Sequence, residues 1–326
     1  MLQIWGPLAI RWYGLSYLAS FVAAIWLLRR WSWQGEFDVE EKEVSNFIVL
    51  LAFFGVFLGG RLGYVLFYGF DSLLSDPLYM FKVWDGGMSS HGGFIGVILF
   101  MLWYARKHPA RLTTEVTEAH SATLDKKASA GSVSSSAASG KTSRKNKKQT
   151  VSNGIKTFWN LADNMACVTS LGFFFGRLAN FVNGELWGRV SNIRGAMVFP
   201  QELGYKFDDY DLPAIQAAMA DGVLQPRHPS QLYQAFCEGL LVFLIMILLR
   251  RTAWAKRPGA LSACYLALYA IARIGMEFFR EPDSTIYFGW LTKGQLYSVL
   301  MVAAALVIAW RMNLFTGKER PADHAG

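Results

Sequence analysis

The chain has 326 residues, of which 53% are hydrophobic and only 17% are charged. Soluble domains carry about 25% charged residues, so this composition argues against a soluble globule. The formal charge of +8 is typical of nucleic-acid-binding proteins, but it is concentrated in one segment. Residues 106–156 hold eleven Lys and Arg against three Asp and Glu, whereas the other 275 residues hold twenty-one of each sign. Because the rest of the chain is formally neutral, we expect no nucleic-acid partner.

Apolar runs of membrane-spanning length recur along the chain. About 20 helical residues, rising 1.5 Å each, cross a hydrocarbon core of roughly 30 Å. The runs are apolar throughout rather than alternating, which favours helices over a transmembrane β-barrel. They lie at Trp12–Leu28, Val44–Gly60, Gly86–Ala105, Thr157–Phe175, Gln231–Leu249, Pro258–Ala272 and Gly294–Trp310. The sequence therefore predicts an all-α polytopic membrane protein with seven transmembrane helices.

The placement of Lys and Arg predicts the orientation. With the N-terminus outside and the C-terminus inside, inner segments hold 21 Lys and Arg and outer segments hold 11, as the positive-inside rule requires. Without residues 106–156 the counts are 10 and 11, so the basic segment decides the comparison. Its Ser-, Ala- and Lys-rich composition predicts disorder, either as a patch for anionic lipid or as a tolerated loop insertion.

These observations predict six regions. They are transmembrane helices 1–3 with a periplasmic arm (1–105), a disordered basic cytoplasmic insert (106–156), helix 4 with a polar motif (157–189), a periplasmic loop or head region (190–230), helices 5–7 (231–311) and a cytoplasmic tail (312–326).

Polar clusters interrupt the apolar runs. A charge at the bilayer centre costs about 2.5–3.5 kcal/mol on insertion scales, so such clusters are candidate functional sites. Arg61, Tyr64 and Tyr68 share one helical face, although an arginine at a helix end can also extend to the interface. His91 lies between two glycine pairs and could accept a proton. The glycines permit close approach of a ligand or of a neighbouring helix.

Two further clusters are denser. The segment from Gly176 to Arg189, GRLANFVNGELWGR, holds two arginines, two asparagines and a glutamate, which predicts a polar site, and Gly184 is expected to end the helix. Tyr269, Arg273, Glu277 and Arg280 form one stripe. An Arg273–Glu277 pair could be structural, but two arginines on one stripe also suit a phosphate.

The GRLANFVNGELWGR segment closely resembles the signature of the bacterial prolipoprotein diacylglyceryl transferase family. Similarity continues through RWYGLSYL (11–18), FLGGRLGYVLFY (57–68), VWDGGMSSHGG (83–93), RHPSQLY (227–233) and RIGMEFFREPD (273–283). The resemblance implies transfer of a diacylglyceryl group from phosphatidylglycerol to the lipobox cysteine of a preprolipoprotein signal peptide, releasing glycerol phosphate. It also implies a bacterial inner-membrane protein whose active site faces the periplasm. The basic insert departs from the family's compact connection between helices three and four.

The chemistry and the resemblance together suggest roles for individual residues. Arg177 and Arg273 are expected to stabilise the leaving phosphate, and His91 is the candidate base, with Glu185 or Glu277 as alternatives. By the resemblance, the residues that bind substrate, in addition to Arg177, are Asn180, Asn183, Glu185, Gly188, Tyr13, Arg61, Tyr64, Tyr269, Glu277 and Arg280. No metal or other cofactor is expected, because arginines supply the positive charge. The expected partners are phosphatidylglycerol, the signal peptide and membrane lipids.

Two other classes of protein were weighed against an enzyme. A lipid or anion transporter would also contain intramembrane arginines, but it predicts related halves, and residues 1–105 and 158–311 show no internal similarity. A polytopic scaffold without a site would leave the four polar clusters unexplained.

Overall fold

The computed structural model of the chain describes residues 2–5, 8–10, 12–82, 84, 86–108, 139–205, 210–281 and 292–315. Helices dominate it, as the sequence predicts. The exception is a short antiparallel hairpin in which β1 (Leu2–Trp5) pairs with β2 (Leu8–Ile10). The sequence Gly-Pro, a dipeptide typical of turns, separates the two strands, and outside this hairpin the described elements agree with the predicted helical fold.

The helices follow in chain order and are joined in two places by π-helical stretches. They are α1 (Trp12–Trp33), α2 (Val44–Leu50), α3 (Gly59–Phe67), α4 (Phe70–Ser75), α5 (Ser90–Lys107), α6 (Ser139–Asn183), α7 (Leu212–Ala220), α8 (Ser230–Gln234), α9 (Val242–Arg250), α10 (Ala260–Glu277) and α11 (Lys293–Arg311). The π-helical stretch Leu51–Leu58 connects α2 to α3, and Ala235–Leu241 connects α8 to α9. Short 3-10 helices lie at Glu41–Glu43, Pro77–Phe81, Pro200–Leu203 and Trp254–Lys256.

Five helical segments are long and apolar enough to cross a membrane. They are Glu41–Phe67, Asn153–Asn183, Ser230–Arg250, Ala260–Glu277 and Gly294–Arg311. The first and third predicted runs also fold as helices, α1 and α5. Both are rich in Ser, Tyr, Trp or Gly and end in basic residues, which lowers their apolar character. The described residues thus support a polytopic membrane protein, and the count of seven spans stays a prediction.

The distribution of side chains is the reverse of that in a soluble protein. Large apolar side chains such as Phe53, Leu248 and Val307 are exposed, whereas Arg61 and Glu238 are buried. Lipid solvates apolar surface and penalises exposed charge, so this arrangement suits a protein in a bilayer.

The chain forms two compact units. The first comprises Met1–Leu27 and Asp163–Gly326, and the second comprises Leu28–Ala162. In the first unit α10 packs along α11. The buried carboxylate of Asp163 accepts hydrogen bonds from the main-chain N of Gly259 (2.8 Å) and from the N and Oγ of Ser262 (2.8 and 2.6 Å). These bonds satisfy main-chain N–H groups at the start of α10, which gives the single charge in the predicted fourth run a structural role.

In the second unit, glycines allow α5 to pack closely against α3 and the preceding π-helical stretch. A Cβ atom on Gly63 would lie 2.5 Å from Cα of Gly92, and one on Gly96 would lie 2.2 Å from the carbonyl oxygen of Gly55. Only glycine permits such an approach. The glycines around His91 allow the close approach of either a ligand or a neighbouring helix, and in the structure a neighbouring helix lies against Gly92.

The basic insert departs from the prediction in its described part. Helix α6 begins at Ser139, so the expectation of disorder is wrong for residues 139–156. Extending an existing helix adds a backbone hydrogen bond for each residue fixed, and Lys, Arg and Gln are good helix formers. Residues 109–138 of the insert and 316–326 of the predicted tail lie outside the described residues.

Candidate active site

Two arginines from different helices share one buried carboxylate. Arg177 on α6 places Nη2 3.4 Å from Oε2 of Glu238, and Arg273 on α10 places Nη1 3.6 Å from Oε1 of the same residue. Glu238 has no exposed surface and lies in the π-helical stretch Ala235–Leu241, a type of helix that often occurs at functional sites. Opposite charges attract strongly when they are shielded from water, so Glu238 holds the two guanidinium groups together.

A second carboxylate and a third arginine complete this cluster. Arg273 Nη1 lies 2.8 Å from Oε2 of Glu277, which confirms that this pair shares one helical face. Burial and repulsion from Arg177 and Arg273 lower the pKa of Arg280 to about 10, so Arg280 is still protonated at neutral pH. Three arginines thus accompany two glutamates, and the excess of one positive charge suits a singly charged anion.

Two residues restrict where the arginines can lie. Tyr269 is buried, interacts with the Arg177 side chain and packs its ring 4.6 Å from that of Phe173. A Cβ atom on Gly294, next to the first residue of α11, would lie 2.9 Å from Nη2 of Arg273. Sequence reasoning missed Gly294, because its only signal was its place at the start of the last apolar run.

The end of α6 brings together four predicted site residues. The hydroxyl of Tyr13 lies 2.5 Å from Oε2 of Glu185 and 2.7 Å from Oδ1 of Asn180, and Asn183 also interacts with Tyr13. The hydroxyl of Tyr13 has one proton, which it donates to the carboxylate of Glu185. When the side-chain amide of Asn180 is flipped, so that its nitrogen takes the place of Oδ1, that nitrogen donates to the hydroxyl oxygen. Helix α6 ends at Asn183, and the next residue is the predicted Gly184, whose φ is +66°.

Gly188 contributes through its backbone. Its N–H donates to the carbonyl oxygen of His228 (3.0 Å), and a Cβ atom there would lie 2.5 Å from the carbonyl oxygen of Phe279. The next residue, Arg189, donates from its main-chain N to Phe279 (3.0 Å) and from Nε to the carbonyl of Arg280 (3.1 Å). The chain after α6 is thereby fixed to the end of α10, where Arg280 lies.

Arg61 has a different environment, in the second unit. It is 2% exposed, and its guanidinium lies over the rings of Tyr64 and Tyr79. Its five N–H groups donate to the carbonyl oxygens of Tyr79, Met80, Lys82, Gly86 and Gly87. Because a guanidinium has five N–H donors, none is left for a phosphate. The geometry shows that Arg61 stabilises this segment, and the role of Arg61 and Tyr64 in lining the site stays a prediction.

His91 also belongs to the second unit. It is exposed and lies in the first turn of α5, where Ser89 Oγ accepts a hydrogen bond from the N of Gly92 (3.3 Å). The other predicted site residues, from Tyr13 to Arg280, belong to the first unit.

Comparison with known proteins decides the family. A family model described as prolipoprotein diacylglyceryl transferase matches residues 1–123 and 148–311. The chain belongs to this family. Three relatives named phosphatidylglycerol–prolipoprotein diacylglyceryl transferase are similar to it. The relative from Allorhizobium ampelinum is 37% identical, and the match covers 98% of this chain and 92% of the relative. The relative from Pectobacterium atrosepticum is 40% identical, with 98% of this chain and 93% of the relative covered. The relative from Aeromonas salmonicida is 38% identical, with 96% of this chain and 92% of the relative covered.

All residues of the cluster around Glu238 lie in the part of the chain that the family model matches. The unmatched residues 124–147 fall inside the basic insert. Glu238 is not among the site residues that the sequence predicts. Its signal was that it is the single charge in the run Gln231–Leu249, but nothing local indicated that it would meet two arginines.

Proposed function

We propose that this chain transfers the diacylglyceryl group of phosphatidylglycerol to the lipobox cysteine thiol of prolipoproteins, the first step of lipoprotein maturation. One observation carries the proposal: Arg177 and Arg273 converge on the buried Glu238, in a cluster with one excess positive charge. A phosphodiester lipid carries one negative charge and therefore matches this excess. The names of the relatives support both substrates.

The reaction requires stabilisation of a leaving phosphate. The sulfur loses its proton and attacks the glyceryl carbon that bears the phosphate ester, so that an S–C bond forms while the C–O bond breaks. Glycerol phosphate leaves with the electron pair of that bond and carries more negative charge than the diester. The guanidinium groups of Arg177 and Arg273 therefore bind the departing group more strongly than the substrate, which is the condition for catalysis.

The other predicted residues support this step. We assign Tyr13, Asn180, Asn183 and Glu185 to binding the polar head group, with Gly188 shaping that pocket through its backbone. Tyr269, Glu277 and Arg280 position the two arginines.

His91 is the proposed acceptor of the thiol proton. The alternatives are Glu185, which accepts a hydrogen bond from Tyr13, and Glu277, which pairs with Arg273. The base takes the proton of the thiol as the sulfur attacks, so His91→Asn should lower kcat, measured as the rate of thioether formation. A rate equal to that of the wild type would move the base to Glu185 or Glu277.

The topology is proposed to comprise seven spans in the bacterial inner membrane, with the N-terminus and the active site on the periplasmic side. Helix α1, with 22 residues, is about 33 Å long at 1.5 Å per residue, which supports it as a span. A Cys introduced at Asn192, in a chain whose native cysteines are replaced, should react with an impermeant thiol reagent in intact cells. Labelling only after lysis would contradict this orientation.

The decisive test uses the purified full-length protein, labelled phosphatidylglycerol and a lipobox peptide. The expected product is a thioether-linked diacylglyceryl peptide together with free glycerol phosphate. A peptide with Ser in place of the lipobox Cys should give no product. If the wild-type protein gives no product with either peptide, the proposed function is wrong.

A further inference from the structure

A fully buried amide lies on the same helix face as Glu238. Gln231, Gln234 and Glu238 are spaced i, i+3 and i+7, and none of them has exposed surface. At one end of this face, Gln231 Nε2 donates to the carbonyl oxygen of Glu185 (2.7 Å), the residue whose side chain contacts the hydroxyl of Tyr13. Glu238 ties the other end to Arg177 and Arg273. Gln234 therefore lies between the two parts of the candidate active site.

The polar atoms of this amide are unpaired. Neither Oε1 nor Nε2 of Gln234 has a hydrogen-bond partner among the residues that the structure describes, and the same is true of Oε1 of Gln231. Buried amide groups in folded proteins are almost always hydrogen-bonded, because leaving them unpaired away from water is unfavourable. An unpaired amide between a pair of arginines and a polar pocket indicates a group that binds something absent from the free protein.

The chemistry of these atoms defines what they bind. The two glutamine oxygens require hydrogen-bond donors, while Nε2 of Gln234 requires an acceptor. A phosphate diester provides acceptors only. A hydroxyl both donates and accepts, so a head group with two hydroxyls would satisfy both oxygens and the amide nitrogen together. An ammonium head group would also donate, but it would be repelled by the excess positive charge of the neighbouring arginines.

We propose that Gln234, with Oε1 of Gln231, binds the hydroxyl groups of the lipid head group and so selects a hydroxylated, uncharged alcohol on the phosphate. This inference rests on the proposed function and adds a specificity-determining residue to it.

The test compares two phosphodiester lipids in the full-length protein. Phosphatidylglycerol carries two head-group hydroxyls and phosphatidylmethanol carries none, yet both can donate the same diacylglyceryl group. The wild-type protein should prefer phosphatidylglycerol by about 100-fold in kcat/KM, because the analogue leaves buried polar groups unpaired. Gln234→Met should lower kcat/KM for phosphatidylglycerol about 10- to 100-fold and leave phosphatidylmethanol nearly unaffected. Gln216→Met, at an exposed position, is the matched control and should keep the wild-type preference.

A stability measurement separates binding from a structural role. Since Gln234→Met removes an amide that is unpaired in the free protein, the variant should unfold in lipid-free detergent at the wild-type temperature or above it. A second variant, Gln234→Asn, retains an amide but shortens the side chain, and should also reduce the lipid preference. A fall of several degrees for Gln234→Met, or an undiminished preference in both variants, would overturn the inference. If the wild-type protein formed no thioether from either lipid, the proposed function itself would fail.

Discussion

Two arginine sites in this chain, the buried Arg61 and the half-buried pair Arg177 and Arg273, differ in the groups that their guanidinium N–H donors meet. The five N–H groups of Arg61 all donate to main-chain oxygens. In the other site, carboxylates meet Arg273 Nη1: Oε2 of Glu277 lies 2.8 Å from it and Oε1 of Glu238 lies 3.6 Å from it. Burial of a charge therefore does not identify a functional arginine, whereas the kind of group that surrounds its guanidinium does.

The surroundings explain this difference. The main-chain carbonyls of Tyr79, Met80, Lys82, Gly86 and Gly87 enclose the guanidinium of Arg61. Arg177 and Arg273 lie on helices whose carbonyls are engaged in helical hydrogen bonds, and the side chains of Glu238, Glu277 and Tyr269 meet them instead. A carboxylate holds a guanidinium by charge, and an anionic ligand can be bound by the same charge.

The largest expected effect is the loss of transfer activity when Arg177 or Arg273 is replaced. Arg177→Lys and Arg273→Lys should each lower kcat/KM for lipid transfer about 1,000-fold, because removing one preorganised donor costs about 10²–10³ in rate and Lys lacks the planar fork of Arg. The thermal unfolding temperature should change little. Arg194→Lys, at an exposed position, should retain wild-type activity. Near wild-type transfer by both site variants would refute bidentate phosphate binding.

Arg61→Met should act on stability instead. It leaves several carbonyls without their charged donor, each such hydrogen bond being worth about 1.5–3 kcal/mol, so we expect a loss of about 3 kcal/mol or more. Thermal unfolding in detergent measures the effect. Transfer activity per folded molecule should be much less affected. A variant that unfolded like the wild type but lost transfer would show that Arg61 contacts the substrate after all.

Glu238→Gln should weaken the coupling between the two arginines. The amide keeps the size of the side chain but removes the charge that holds both guanidinium groups, so kcat/KM should fall about 10-fold. Glu202 offers a comparison, since it pairs with Arg227 in the predicted head region. Transfer by Glu202→Gln should be close to that of the wild type, and an equal loss in both variants would argue against a special role for Glu238.

The smallest effect is expected from Gly294→Ala. The added methyl group would meet the flexible end of the Arg273 side chain rather than backbone. It should therefore displace the guanidinium and lower kcat/KM about 3- to 10-fold, while stability is maintained because Ala favours a helix. Gly172→Ala, where nothing lies within 4 Å, should not affect transfer. Full activity of Gly294→Ala would show that Arg273 tolerates another position.

The sequence predicted those features that depend on local pattern. The apolar runs located the helices, Gly184 located the end of α6, and the spacing of Arg273 and Glu277 predicted their contact one helical turn apart. The shared carboxylate was not predictable in this way, because Arg177 and Glu238 are 61 positions apart and meet only when α6 packs against the π-helical stretch. The role of Arg61 depended likewise on where the chain after α4 turns.

Because of the π-helical stretch at Ala235–Leu241, the position of Glu238 in the site depends on the number of residues in this helix. The stretch accommodates one residue more than an α-helix would over the same rise. Deleting one of residues 235–237, which lie between Gln234 and Glu238, would rotate Glu238 and the chain beyond it by about 100° and separate Glu238 from the face that carries Gln231 and Gln234. This helix can therefore tolerate substitutions far more readily than a change in residue count.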